Sequence, residues 1–190
     1  MGLISLIAGG VMDANKAIKQ NKAKNDATTQ TVVVQNRYSL DVPSFLSPTN
    51  KLSTDASLQY YDKTLDCAVQ VIDEPKSELL EAIEGLRKEV PDFGKDKPLL
   101  ENYVTISLSN MFDLDKIEIG SWTETTVNGC NAITLEVWQK RTFLKDAAHY
   151  RYGFVEGKNT MYQIHIIVGG SSISKISDRL ENIVKSFKEL

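Results

Sequence analysis

Apolar residues recur at every second position in several segments from residue 37 onward, the period that predicts half-buried strands. The first such segment is RYSLDVP, which ends at Pro43 and precedes a long polar loop over residues 44–57. LQYYD and LDCAVQVIDE follow as two further predicted strands, and the second carries apolar residues on both of its faces. A strand that is apolar on both faces indicates a sheet with something packed on each side.

Helical spacing of apolar residues predicts three helices within the folded part of the chain. KSELLEAIEGLRKEVP is amphipathic, and Ser77 is its predicted N-cap. Pro98 is predicted in the first turn of a second helix that runs to about Met111. The segment over 171–190 repeats its apolar residues at heptad spacing and predicts a last helix docked on a sheet. The repeated positions are Ile173, Ile176, Leu180, Ile183, Phe187 and Leu190.

The dipeptide Asn-Gly at 128–129, placed between two alternating runs, is typical of a β-hairpin. Its type I′ turn needs positive φ at both central residues, which Asn and Gly tolerate. A two-residue turn pairs Val127 with Cys130 and, further along, Ile119 with Trp138. Cys130 is therefore interpreted as a small strand residue beside a turn.

A third hairpin is predicted over 149–168, and its loop length decides which side chains share a face. An odd-length loop such as residues 157–159 places the tyrosines of the first strand on one face with the apolar residues of the second. His149 and His165 then lie together on the opposite face. Two cross-strand imidazoles are weak metal candidates, because a catalytic zinc usually has three protein ligands and the chain has only two histidines. Two partly solvated polar residues are the favoured interpretation.

Composition predicts one soluble domain in 190 residues, with 42% hydrophobic and 25% charged residues. The net charge of −3 argues against a nucleic-acid partner, which usually requires a basic face. Two cysteines, Cys67 and Cys130, are too few for a disulfide scaffold, although a bond between these two is left open. A cytoplasmic location is expected, with export left open.

Residues 1–26 form a basic leader with a net charge of +2 on an otherwise acidic chain. Its apolar residues follow one helical stripe that is rich in alanine and lacks aromatic residues. Three interpretations stay open: a flexible tail, a helix docked on this domain or on a second copy, and a helix on a membrane surface. Membrane association is expected to be weak or absent. Residues 1–30 are thus leader and linker, and residues 31–190 are the domain.

No catalytic motif is present in the chain, so no catalytic or cofactor-binding residue is predicted. Cys130 as a nucleophile would need an adjacent base, and the predicted hairpin supplies none. GFVEGKNT, residues 153–160, resembles a phosphate-binding loop but has three residues where the pattern needs four before Gly-Lys. We therefore expect that the protein is not an enzyme.

Four segments together resemble the PsbP-like superfamily: RYSLDVP, TTVNGCNAITLEV, YRYGFVEGKNTMYQIHI and LENIVKSFKEL. The superfamily includes the photosystem subunit PsbP, a Ran-binding nuclear transport factor and small bacterial proteins. The marks of the resemblance are Val127, Gly129 and Ala132 at the hairpin turn, and Ile183, Val184, Ser186 and Phe187 near the end of the chain.

The resemblance covers roughly residues 35–190 and implies a single α+β domain, an antiparallel β-sheet between helices. It also implies a bacterial, non-enzymatic module that binds a protein partner, without transferring any binding residue to this chain. The basic amphipathic leader motivates an alternative, a secretion adaptor or membrane-associated chaperone that uses this leader. A metal-dependent enzyme using His149 and His165 is the third hypothesis. Homo-oligomerisation is left open.

Overall fold

The computed structural model describes residues 28–139, 149–169 and 182–190. The leader over 1–26 and the larger part of the predicted last helix lie outside the described residues. Among the helices within the described ranges, none combines the length and the apolar character needed to cross a membrane.

The described residues form ten strands and three helices, together with one short 3-10 turn at Leu114–Lys116. In chain order they are β1 (Thr29–Val34), β2 (Tyr38–Pro43), β3 (Ser47–Pro48), β4 (Ala56–Asp62), β5 (Cys67–Pro75), α1 (Lys76–Glu89), α2 (Leu99–Met111), β6 (Ile117–Val127), β7 (Cys130–Gln139), β8 (His149–Glu156), β9 (Thr160–Val168), α3 (182–186) and β10 (Lys188–Glu189).

The strands form two antiparallel sheets. The main sheet has seven strands in the order β3-β4-β5-β9-β8-β7-β6, and the second sheet has three in the order β1-β2-β10. Helices α1 and α2 pack on one face of the main sheet, while the second sheet and α3 pack on the other. The predicted α+β fold with an antiparallel sheet between covering layers is confirmed, with the second sheet sharing one of those layers.

Each face of the main sheet has its own hydrophobic core, which explains why its strands are apolar on both sides. The core on the helix side contains Leu79, Ile83, Leu100, Tyr103, Val104, Leu108, Ile133, Leu135, Val137, Tyr152, Phe154 and Met161. The core on the other side includes Tyr38, Leu40, Val42, Val69, Val71, Tyr162, Ile164, Ile166, Ile183 and Phe187.

The helix boundaries follow the two prolines that precede them. Helix α2 ends at Met111, as predicted, but it begins at Leu99, and Pro98 is its N-cap rather than a residue of its first turn. Helix α1 begins directly after Pro75 and has no side-chain cap, so the prediction of Ser77 as N-cap is wrong. Proline supplies a preset φ and an already missing N–H, which makes it suitable at a helix start. Strand β1 begins at Thr29, inside the segment predicted as linker.

The β6–β7 hairpin confirms the predicted turn but not the full register. Val127 pairs with Cys130, and the Asn-Gly pair at 128–129 has positive φ at both residues. Ile119 pairs with Val137 instead of Trp138, because a bulge interrupts β6 between residues 119 and 122. A bulge adds an unpaired residue on one strand and shifts every pair beyond it.

The β8–β9 hairpin contradicts the predicted odd-length loop. Glu156 pairs with Met161, so the loop has four residues, closed by a hydrogen bond of 2.9 Å from the Gly157 N–H to the Thr160 carbonyl oxygen. Tyr152 therefore pairs with His165, and the two share a face. The prediction assumed one buried face; because both faces are covered, the tyrosines of β8 and the apolar residues of β9 are buried on opposite sides.

The last helix ends earlier than predicted. Helix α3 ends at residue 186, and Lys188–Glu189 then pairs with β2 as strand β10. Phe187, between them, is fully buried and lies 5.6 Å from the Tyr38 ring and 4.8 Å from the Tyr162 ring. Leu190, predicted on the apolar stripe, is 57% exposed because the chain has left the helix.

Candidate functional site

An open cleft of about 930 Å³ lies between the main sheet and the two long helices. Its floor is formed by β5, β9 and β8, its walls by α1 and α2, and one border by the loop over 52–55. We call it the helix-side cleft. A second cavity, beside β6 and α3, has a smaller volume of about 620 Å³.

Five side chains on the cleft floor are joined by hydrogen bonds into one polar chain. Gln70 Nε2 lies 2.9 Å from His165 Nδ1, and His165 Nε2 lies 3.0 Å from Gln163 Oε1. Gln163 Nε2 donates to Glu74 Oε2 at 3.1 Å, and the Tyr103 hydroxyl donates to the same oxygen at 2.5 Å. We refer to these five residues as the polar chain.

Strand register places the polar chain on one face. Gln70 of β5 is the direct partner of His165 of β9, and Gln163 lies two residues before His165 on the same side of β9. Glu74 lies on the same face of β5 as Gln70, four residues further along. Helix α2 contributes Tyr103, which is only 2% exposed. The polar chain therefore depends on the register between β5 and β9 and on the docking of α2 above these two strands.

The hydrogen bonds of the polar chain have a fixed direction that ends at Glu74. Glu74 can only accept, so Gln163 donates its amide N–H and is left to accept with Oε1. His165 must then donate from Nε2, and its neutral ring accepts at Nδ1 from Gln70. The tautomer of His165 is thus determined by a carboxylate two hydrogen bonds away.

Burial disfavours the charged forms of His165 and Tyr103. His165 is 3% exposed, and burial lowers its pKa from 6.5 to about 4. Burial, and secondarily the hydrogen bond to Glu74, raises the pKa of Tyr103 far above its usual value. Near neutral pH, His165 and Tyr103 therefore act as neutral hydrogen-bonding groups.

Aromatic rings border the polar chain. The Tyr152 ring meets the His165 ring edge to face at 4.8 Å, which restricts the imidazole. Phe112 and Tyr150 form a second edge-to-face pair at 5.4 Å, and both are only partly buried. The cleft thus combines a polar floor with an aromatic border.

The two predicted metal candidates lie on opposite faces of the sheet. His149 points away from the helix-side cleft, with its ring stacked on Trp138 at 5.3 Å and its Nε2 3.8 Å from Glu136. Burial lowers the pKa of His149 as well. The prediction that His149 and His165 share a face is wrong, so they cannot ligate one ion together. The described residues contain no group of three or more metal-ligating side chains.

The two cysteines also lie away from the helix-side cleft, and both thiols are free. Cys67 is buried beneath the second sheet, and burial raises its pKa to about 12. Cys130 flanks the turn as predicted, and its pKa is raised by burial and then by the carboxylate of Glu189. A raised thiol pKa disfavours the thiolate that a nucleophilic cysteine needs.

Of the five residues of the polar chain, only His165 is a candidate site residue on the sequence alone. A signal was present in the strands CAVQVI and YQIHIIV, where Gln70, Gln163 and His165 interrupt apolar runs. A polar residue in a strand that is covered on both faces must be buried, and buried polar groups require partners. The partners themselves depend on the register, which the sequence did not determine.

No protein-family model and no curated protein sequence matches this chain. Solved structures do match. Cyanobacterial PsbP (CyanoP) from Synechocystis sp. PCC 6803 is 9% identical with a TM-score of 0.51, covering 86% of this chain and 94% of that one. LpqN, a Mycobacterium tuberculosis protein involved in cell envelope biogenesis, is 10% identical with a TM-score of 0.50, covering 85% and 90%. A Bacteroides thetaiotaomicron protein is 7% identical with a TM-score of 0.51, covering 85% and 48%. These similarities confirm the fold that the sequence resemblance predicted.

Proposed function

We propose that this chain, which has the PsbP-like fold, is a non-enzymatic bacterial binding module whose recognition site for a protein partner is the helix-side cleft. One observation carries the proposal: the cleft is open, has a volume of about 930 Å³, and has a preformed polar floor. This volume is within the range typical of ligand sites, roughly 300–1,000 Å³. Such a cleft can receive a side chain or a short loop of another protein.

The protonation states of the floor support binding rather than proton transfer. A general acid or base works best with a pKa near the ambient pH. Burial moves the pKa of His165 down to about 4 and the pKa of Tyr103 strongly upward. Both groups are suited to hold fixed hydrogen bonds, which is the role of a recognition surface.

Blocking the cleft from its rim tests the proposal. Ala82 is an exposed residue of α1 that borders the cleft, so Ala82→Trp adds bulk there without disturbing the core. Leu80→Trp, at a 49% exposed position of the same helix that does not border the cleft, is the matched control. Both variants and the unmodified protein are used as baits in a lysate of the native host. We expect the Ala82→Trp bait to lose a partner that the other two retain; retention by all three would refute the proposal.

A second candidate function is a secretion adaptor or membrane-associated chaperone. Its specific support is the basic leader over 1–26, together with the envelope role stated for LpqN, which has a similar fold. Because β1 begins at Thr29, removing residues 1–26 leaves every described strand intact. This candidate predicts that the truncated chain loses a membrane fraction or a partner that the full chain retains. Equal behaviour of the two chains would contradict it.

A further inference from the structure

We propose that the helix-side cleft binds a cationic group, and that this group is the side chain of a lysine or arginine on the protein partner. The inference rests on the proposed function and specifies the chemistry of the group that enters the cleft. It is based on the acceptor atoms left open by the polar chain, on the charges around the cleft and on its aromatic border.

The polar chain leaves two oxygen atoms without a donor, one near each end. Gln70 is 9% exposed and uses Nε2 toward His165, so its Oε1 accepts no hydrogen bond from the described residues. Both donors to Glu74 use Oε2, so its Oε1 is likewise left over in the described chain. Neither oxygen is among the fully buried polar atoms that lack a partner, so both retain access to solvent, and both residues line the cleft. Open acceptors in a cleft call for a ligand that donates.

The charges around the cleft select a cation. Asp55, Glu74 and Glu78 border it, and no described lysine or arginine does. A fourth acid, Asp73, is bound to Arg37 and is therefore neutralised. In the described chain, neither Glu74 nor Glu78 forms an ion pair with a basic residue. A cationic group would supply the missing charge, whereas an anion would be repelled.

The neutral histidine on the floor strengthens this selection. A protonated imidazole between Gln70 and Gln163 would oppose a second positive charge, but burial holds His165 neutral at physiological pH. No other titratable base borders the cleft among the described residues. The floor therefore presents carbonyl and carboxylate oxygens without a competing cation.

The aromatic border suits the same ligand. Phe112 and Tyr150 are both partly exposed where they border the cleft. The face of an aromatic ring attracts a cation within about 6 Å of its centre. Long basic side chains also bring a hydrocarbon stem that can pack on such rings, which acidic and short polar side chains lack.

Nuclear magnetic resonance titration of the full-length protein tests the inference directly. The probe is N-acetyl-lysine methylamide, and the uncharged control is the norleucine analogue, which has the same hydrocarbon stem. We expect the lysine probe to cause saturable shifts of the Gln70 and Gln163 side-chain amide signals, weakened by added salt. Equal shifts with the norleucine analogue would overturn the inference.

Three variants locate the charge that matters. Glu74→Gln keeps the shape and an acceptor for Tyr103 but removes the carboxylate, and we expect at least about tenfold weaker binding of the probe. Glu78→Gln, at an exposed rim position outside the polar chain, should weaken binding by about two- to threefold and is informative even if the Glu74 variant folds poorly. Glu124→Gln on β6, outside the cleft, should leave binding unchanged. Unchanged binding in both cleft variants would refute the assignment.

The two proposals fail separately. If Ala82→Trp abolishes partner capture but the lysine probe does not bind, the cleft recognises a partner through another chemistry and only the cation inference is wrong. If the probe binds but partner capture is unaffected by Ala82→Trp, the assigned source of the cation is wrong, together with the proposed function.

Discussion

The strongest quantitative prediction concerns His165, whose burial should make the stability of the protein depend on pH. The unfolded chain protonates this imidazole with a pKa near 6.5, whereas the folded protein does so only near 4. At low pH, protons therefore bind preferentially to the unfolded state, and this binding favours unfolding. The stabilisation is complete above about pH 6.5 and is lost progressively as the pH falls toward about 4.

The magnitude follows from the two pKa values. Over the whole range, the difference corresponds to about 3 kcal/mol of unfolding free energy, since one pKa unit equals about 1.4 kcal/mol. Between about pH 7.5 and pH 5 the contribution of His165 amounts to about 2 kcal/mol. This is a substantial share of the total stability of a typical domain, about 5–15 kcal/mol.

The perturbation is His165→Gln, because glutamine can still donate to Gln163 and accept from Gln70 but does not titrate. The assay is urea unfolding at about pH 7.5 and about pH 5, with the free energy extrapolated to water. We expect the unmodified protein to lose about 2 kcal/mol more than the variant between these two conditions. Other titrating groups are common to both proteins and cancel in the comparison.

His149→Gln is the matched control. Burial lowers the pKa of His149 too, so this variant measures how much of the pH dependence arises on the other face of the sheet. The reasoning is refuted if His165→Gln retains the full pH dependence of the unmodified protein. It is also refuted if the His165 ring signal titrates near pH 6.5, an observation that is simple because the chain has only two histidines.

Three further predictions follow from single contacts. Asn128→Ala removes a hydrogen bond of 2.6 Å from Nδ2 to the Phe187 carbonyl oxygen and places alanine at φ +48°, so the free energy of unfolding should fall by about 1–3 kcal/mol. Asn128→Gly removes the same hydrogen bond, but glycine tolerates that φ, so the loss should be smaller. Equal losses in the two variants would contradict this account. Gly153→Ala would place a Cβ 2.5 Å from the Val184 side chain, so thermal melts should show the folded protein destabilised by about 1–3 kcal/mol. Adding Val184→Ala should restore part of the lost stability. If the losses of the two single variants instead add up in the double variant, there is no direct clash between these side chains. The Cys67 thiol should react with Ellman's reagent only after urea unfolding, and fast labelling of the native thiol would show that its burial is incorrect.

Helices and strands could be predicted from the sequence because the spacing of apolar residues differs between them: every second residue in a strand and every third or fourth in a helix. The start of α2 after Pro98 and the turn at 128–129 follow from local backbone preferences, which do not depend on distant residues. The PsbP-like fold could likewise be identified from local motifs. These features can be predicted without knowing which other elements pack against them.

Register was the part that sequence could not determine, and the candidate site depends on register. In a sheet covered on one side, alternation tells which residues face the core, but here Tyr152 and Ile164 are both buried on opposite faces. The alternation is therefore consistent with either loop length, and His165 was assigned to the wrong face. The bulge in β6 similarly has no marker in the alternating pattern. The polar chain exists only through the pairing of β5 with β9, which brings Gln70 opposite His165.

The pairing of β10 with β2 has a consequence for how the protein is made. Glu189 pairs with Tyr38, some 150 residues away, and Phe187 completes the aromatic cluster with Tyr38 and Tyr162. During synthesis the second sheet and the core beneath it cannot close until this last stretch has emerged from the ribosome. Such long-range contacts slow folding and leave apolar strands exposed in the meantime. The nascent chain should therefore remain susceptible to proteases, and a client of holding chaperones, almost until translation of this domain ends.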